Sequence, residues 1–276
     1  MTAVPLREAF DTAEFGGKAV QLGAAIRAGL PVPDGIAVGA GFVDALAAGN
    51  SAARSAFLSM AGQLAGPLAV RSSAVGEDSA EASFAGQHAT KLNIHGPEMA
   101  LMALIEIWKS GHTENALAYR QRMGASGQPK VGVVVQRLVL SDVAGVLFTC
   151  NPVTGHDEIV IEAAWGLGES VVQGMVIPDR IRMTRTGEVL ERQAGSKDIA
   201  VRKSPDGGTY HEQVPPPLAR RICLGYPDLR LLHRLACHCD ETFGTEPHDL
   251  EWAIQESQVF LLQRRPITRM GRSTPA

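Results

Sequence analysis

Between Gly124 and Pro129 the sequence reads GASGQP, and the chain changes character across it. Glycine, serine and proline in one short run punctuate a chain rather than continue an element. Before the break, helical and strand patterns alternate. AVQLGAAIRAGL carries apolar residues at helical spacing and stops at PVP, and GIAVGAGF reads as a short strand and turn. ALAAGNSAARSAFLSMAGQLAG is Ala-rich and helical, with an interruption near Gly49. PLAVRSSA is a strand running into a polar loop, and EMALMALIEIWKS is an amphipathic helix. After the break, KVGVVVQRLVL, AGVLFTC, EIVIEAAWG, DRIRMTR and EVLERQAG are β-rich and separated by turn residues. SPDGGTYHEQVPPP, from Ser204 to Pro217, reads as a loop because of its prolines, and LRLLHRLACHCDETFG as one more helix. The pattern predicts an α+β chain of two lobes. The front lobe covers about 1–128, the β-rich back lobe about 129–270, and 271–276 is a tail. Ligands commonly sit in clefts between lobes.

Composition narrows the function classes. The chain has 276 residues, 45% of them hydrophobic and 20% charged, which is ample for a packed core. A net charge of -3 with no basic run does not point to nucleic acid. MTAVPLREAF lacks the basic and apolar regions of a secretory signal. VGVVVQRLVL is broken by Gln136 and Arg137, and no apolar run reaches membrane-spanning length. Four cysteines in a chain this long do not make a disulfide framework, so a cytoplasmic, reducing setting is expected. His233 and Cys237 share a helix face, but further zinc ligands at recognisable spacing are missing, and buried thiols in a helix are the plainer reading.

The chain closes on DLEWAIQESQVFLLQRRPIT, Asp249 to Thr268. Trp252, Ile254, Phe260 and Leu262 alternate with other residues, which is the period of a β-hairpin. Gln263 and Arg265 then share a face. A turn centred on Ser257 would put Glu251 opposite Gln263, and a one-residue slip would separate them. In that register two oxygen ligands meet a fixed cation. Hard divalent cations such as Mg²⁺ take oxygen ligands, and a guanidinium fork suits phosphate. The alternative is a surface salt bridge beside a half-buried hairpin.

Two other stretches have the chemistry to handle phosphate. In EFGGKAVQLG, Gly16 and Gly17 precede Lys18 at a helix start, where backbone can approach an anion. It is not a Walker A loop, since the spacing is wrong and Ala19 follows the lysine. In LAVRSSAVGEDSAEASFAGQHATKLN, Arg71 ends a strand and a long loop of small polar residues follows. Such a loop can cover a polyphosphate as a lid, or simply be surface.

Taken together these stretches resemble the N-terminal ATP-binding domain of the phosphoenolpyruvate synthase, pyruvate phosphate dikinase and rifampin phosphotransferase family. FGGKAVQLGAAIRAGLPVPDGIAV, VRSSAVGEDSAEASFAGQHATKLN, VVVQRLV with AGVLFTCNPVTG, AAWGLGESVVQGMVIPD, and DLEWAI with FLLQRRPIT stand in family order across nearly the whole chain. The resemblance implies an ATP-grasp fold, two lobes clamping ATP, with ATP and Mg²⁺ as ligands. It implies that Lys18 and Arg71 grip the phosphates, that Gly86 and Thr90 belong to the lid, and that Gln136 lies at the adenine edge. Glu251 and Gln263 resemble the metal-proximal ligands and Arg265 the cation beside the phosphates. Gly166, Gly168, Glu169 and Gln173 match without individual roles.

The family's full enzymes go on to a domain with a phosphorylated histidine and a domain for the second substrate. None of the eight histidines here lies in a stretch like the family's Gly-rich histidine motif. Three readings follow. The chain is the nucleotide-binding component that passes phosphoryl to a histidine on a separate domain or protein, leaving AMP and phosphate. Or it is a stand-alone kinase or ligase acting directly on a small-molecule acceptor. Or it is a non-catalytic ATP-binding module. Neither nucleic acid nor a membrane is expected as a partner.

Overall fold

The computed structural model describes residues 2–74, 90–114 and 129–267. Of the proposed lid, residues 75–89, Gly86 among them, lie outside the described residues, as does the 271–276 tail. The chain divides into two compact units, and the class is α+β as expected. The first comprises Met1–Arg27, Pro33–Leu138 and Lys203–Gly208; the second comprises Ala28–Val32, Val139–Arg202 and Thr209–Ala276.

The first unit is built on an antiparallel sheet of five strands: β1 (Ala3–Pro5), β2 (Gly35–Val38), β3 (Leu68–Ala74), β4 (Thr90–Ile94) and β5 (Val131–Arg137). Their order is β1-β2-β5-β3-β4, so β5 is central. That position explains its sequence. A strand covered on both faces reads as an unbroken apolar run, and Val131 to Gln136 are all buried. One face of the sheet carries Ile36, Val38, Leu68, Val70, Val133 and Val135. It packs on α2 (Ala40–Ala47), α3 (Ser51–Ala61) and α4 (Gly96–Gly111) through Phe42, Val43, Leu46, Phe57, Leu101, Leu104 and Ile107. The interruption foreseen near Gly49 separates α2 from α3: Gly49 has φ +79°, and the Asn50 side chain caps α3 by accepting from Ala53 N at 2.9 Å. The lobe boundary expected near 128 falls one strand later, because β5 pairs with β2 and β3 rather than with anything after it.

The second unit holds a six-stranded antiparallel sheet. Its strands are β6 (Val143–Phe148), β7 (Glu158–Trp165), β8 (Asp179–Thr184), β9 (Val189–Gln193), β12 (His248–Gln255) and β13 (Gln258–Pro266), in the order β13-β12-β6-β7-β8-β9. A separate pair, β10 (Ile199–Lys203) and β11 (Thr209–Gln213), completes the strands among the described residues. Two short turns of helix, α5 (Glu169–Val172) and α6 (Pro216–Ala219), precede α7 (Tyr226–Phe243), which buries Leu229, Leu232, Leu235, Ala236 and Cys239. Between Asp179 and Lys197 runs an ion pair in which both side chains are fully buried. Asp179 also accepts from the backbone N–H groups of Gly195 and Cys223, at 2.8 and 2.7 Å.

The stretch Ser204–Pro217 is therefore not a plain loop. Asp206, Gly207 and Gly208 make a turn, with φ of +97° and +68° at the two glycines. Thr209–Gln213 returns as β11, and Pro216 occupies the first turn of α6, where its missing N–H costs nothing. The tip of this hairpin belongs to the first unit. Asn93 on β4, at φ +57°, donates its side-chain amide to Ser204 O at 2.7 Å and to Gly208 O at 2.8 Å.

Candidate functional site

In the first unit, the glycines of EFGGK serve a close approach. Gly16 has φ +79°, and a Cβ there would stand 1.9 Å from the carbonyl oxygen of Ser73 on β3. Only glycine fits on both counts. The kink at Gly16 divides the helix α1 (Thr12–Arg27) and sets Lys18 at the start of its main run. Lys18 is 4% exposed, and its Nζ donates to Ser72 O at 2.6 Å; the backbone N of Ala19 donates to the Ser73 hydroxyl at 3.1 Å. Arg71 is the next residue back along β3, half-buried, paired across the sheet with Thr90 on β4 and Val134 on β5. Directly opposed residues share a face. Arg71 and Thr90 thus stand on the side of the sheet away from the α2–α4 core. Gln136 lies one rung along on that same side, opposite Ala69 and Gly35. It is 2% exposed and donates its side-chain amide to Pro33 O at 3.0 Å. Four expected residues, Lys18, Arg71, Thr90 and Gln136, come together here on one sheet face and its rim.

In the second unit, β12 and β13 form the closing hairpin with Glu251 opposite Gln263, as expected from the sequence. The route differs. The turn is the two-residue Glu256-Ser257, closed by Gln255 and Gln258, with φ of +50° and +61°. Positive φ at both central residues is the hairpin turn that matches strand twist, here without glycine. A bulge between Glu251 and Trp252 leaves Leu262 as an extra residue, and this restores the Glu251–Gln263 pairing.

The same register brings in a residue that the sequence did not single out. Asp249 stands opposite Arg265, two positions before Glu251 and so on its face. Asp249, Glu251, Gln263 and Arg265 form a polar quartet on one face of the hairpin. Burial pushes the Asp249 carboxyl up, to about 6; the neighbouring Glu251 adds to the rise and Arg265 opposes it. Its Oδ1 is buried without a hydrogen-bond partner among the described residues. A buried carboxylate oxygen left in that state, beside a second carboxylate and an amide carbonyl, is a donor set suited to a hard divalent cation. A carboxylate two places from another on a strand is the sequence signal that would have found it.

Elsewhere, Cys237 Sγ lies 3.6 Å from His233 Nε2, which faces the Arg185 carbonyl. Burial pushes the Cys237 thiol up, away from the thiolate a metal would need. Among the described residues no group of three or more His, Cys, Asp or Glu is placed to hold a metal, and no helix is long and apolar enough to cross a membrane. Glu169 is half-buried and its carboxyl is pushed up by burial, against the pull of His211 and Thr209.

The family described as pyruvate phosphate dikinase, AMP/ATP-binding domain, matches residues 50–276. The chain belongs to this dikinase domain family. The match takes in Arg71, Thr90, Gln136 and the whole quartet, while Lys18 precedes it. A probable phosphoenolpyruvate synthase of Methanothermobacter thermautotrophicus is 41% identical over 75% of this chain and 30% of its own length. The prodigiosin synthesizing transferase PigC of Serratia marcescens is 37% identical over 94% of this chain and 32% of its own. A rifampicin phosphotransferase of Bacillus cereus is 34% identical over 73% of this chain and 23% of its own. The chain spans less than a third of the length of each of these relatives. Among solved structures, a dinucleotide-forming acetyl-coenzyme A synthetase of Ca. Korarchaeum cryptofilum superposes with a TM-score of 0.49 at 10% identity, over 98% of this chain and 94% of that one, too distant a likeness to carry an argument.

Proposed function

We propose that the chain is an ATP-grasp nucleotide-binding component that binds Mg-ATP and readies it for phosphoryl transfer to a histidine on a separate domain or protein, with AMP and phosphate as by-products. The quartet on β12 and β13 is the observation that carries this reading. Phosphoryl transfer asks little covalent chemistry of a protein and much charge placement. Glu251 and Gln263, with Asp249 beside them, would hold the cation through oxygen atoms. The cation, when bound, neutralises phosphate charge and orients the phosphoryl group. Arg265 adds a fixed positive charge next to it, of the kind that stabilises charge developing on phosphoryl oxygens. In the first unit, Lys18 and Arg71 carry the charge suited to a nucleotide's phosphates, with Thr90 alongside. The Lys18 ammonium is preorganised for this by its bond to Ser72 O, which fixes its direction before any anion arrives. Gln136 would stand at the base, its side chain held by Pro33.

Calorimetry of the full chain with ATP, with and without Mg²⁺, tests the reading. Binding that strengthens at least tenfold with Mg²⁺ is expected. A folded protein that binds ATP in neither condition would overturn it. The product nucleotide separates the two enzymatic readings. Adding a histidine-bearing partner should yield AMP and an acid-labile phosphoprotein. Turnover to ADP with a small molecule alone would instead favour the direct kinase or ligase.

A further inference from the structure

The hairpin that carries the quartet has a second face. Side chains alternate along a strand, so His248 and Leu250 on β12 and Arg264 on β13 point away from the quartet. That face is dry: His248 and Leu250 are fully buried and Arg264 is 6% exposed. A guanidinium can only donate, so His248 Nδ1 accepts from Arg264 Nη2, at 3.0 Å. The ring proton then sits on Nε2, which donates to Gly244 O at 3.0 Å. Gly244 caps α7. Phe243, the last residue of that helix, lies under the guanidinium at 4.5 Å and meets the His248 ring edge-on. The His248 backbone is fixed as well: its N–H donates to Thr149 Oγ1 at 2.8 Å, and its carbonyl accepts the Thr149 N–H at 3.0 Å. Arg264 is thereby tied to β12 and to the end of α7.

The sequence around it makes such a tie necessary. Arg264 and Arg265 are consecutive, and a bulge with a spare residue lies just before them at Leu262. A slip of one residue would exchange one arginine for the other and turn Gln263 to the wrong face. Hydrophobic pattern alone does not choose between two arginines. A neutral imidazole acceptor and an aromatic face, both immobile, do choose.

We propose that Arg264 is a positioning residue: held by His248 and Phe243, it pins β13 in the register that sets Gln263 opposite Glu251 and Arg265 opposite Asp249. This inference rests on the Mg-ATP reading of the quartet. Its role is felt through its two sequence neighbours, not through contact with nucleotide.

The test compares the full-length parent with Arg264→Met, Arg264→Lys and His248→Leu. Each is checked for a cooperative melt, then titrated with ATP in EDTA and in Mg²⁺. Arg264→Met and His248→Leu should each lose tenfold or more of the Mg²⁺-dependent gain in ATP affinity, with affinity in EDTA within twofold of the parent's. Arg264→Lys, which keeps a donor for His248, should recover part of the loss. The double variant should be no worse than the worse single, because both remove one device. A plainly structural arginine would lower the melting temperature and leave both affinities alone. A folded Arg264→Met with the parent's Mg²⁺ dependence overturns the inference and leaves the Mg-ATP reading standing. Should Arg264→Met fail to fold, Arg264→Lys and Phe243→Leu decide, with a loss of at least threefold expected and no change fatal to the inference. A parent chain without Mg²⁺-dependent ATP binding overturns both.

Discussion

Asp249 shows how little of a site can be visible at the level of one residue. In the sequence it is an ordinary aspartate at the start of a strand. Its meaning comes from standing opposite Arg265 and beside Glu251, with burial pushing its carboxyl up to about 6. The sign of the resulting pH dependence is fixed. A carboxyl whose folded value lies above its unfolded value of about 3.9 favours the folded chain while protonated and penalises it once ionised. Without metal, Asp249 should therefore cost stability as pH rises from about 4 through about 6, by at most about 3 kcal/mol. Asp249→Asn, measured by urea unfolding in EDTA, should be more stable than the parent at pH 8, and the advantage should shrink as pH falls through about 6 and vanish below about 4. It should also weaken the Mg²⁺-dependent part of ATP binding. Glu251→Ala and Arg265→Ala should leave the fold intact and slow phosphoryl transfer about a hundred-fold or more, as removal of one charge stabiliser does elsewhere. Near-parental turnover in either, with the acceptor in hand, would take that residue out of the chemistry.

At the level of elements, the closing hairpin was the most legible part of the chain. Period-two alternation in DLEWAI and VFLLQ predicts two strands, and a turn near Ser257 puts Glu251 opposite Gln263, as the hairpin has it. A turn centred on Ser257 gives the same pairing as the actual turn half a residue earlier, because the bulge at Leu262, which alternation does not reveal, makes up the difference. The hairpin β10–β11 was misread for a different reason. The prolines at 215–217 outweighed Asp206-Gly207-Gly208, although Pro216 sits where a helix accepts one. The corner of Lys18 and Ser72 was hidden because it joins positions 54 residues apart. Local pattern gives α1 and β3 but not that one abuts the other. That abutment is demanding. Gly16→Ala would force a methyl onto the Ser73 carbonyl at a positive φ. A loss on the order of 3 kcal/mol or more is expected from strain and overpacking together. Chemical denaturation would show it, and a shift under about 1 kcal/mol would mean that the glycine is there for another reason.

For the whole molecule, the division into units does not follow the order of synthesis. The first unit takes back Lys203–Gly208 through the Asn93 clasp, and the second takes in Ala28–Val32, where Pro31 O accepts from Leu261 N at 2.8 Å. A fragment of residues 1–138 contains all five strands of its sheet but not the turn that Asn93 holds. It should fold with a lower urea midpoint than the same strands show in the full chain, and a peptide of the β10–β11 hairpin should raise that midpoint. An unchanged midpoint would make the clasp ornamental. The interleaving also bears on birth at the ribosome. When Leu138 is joined, the five strands exist but their clasp has yet to be translated, and residues 28–32 must wait, undocked, until Leu261 emerges. Neither half of this protein can be finished before the other has largely been made.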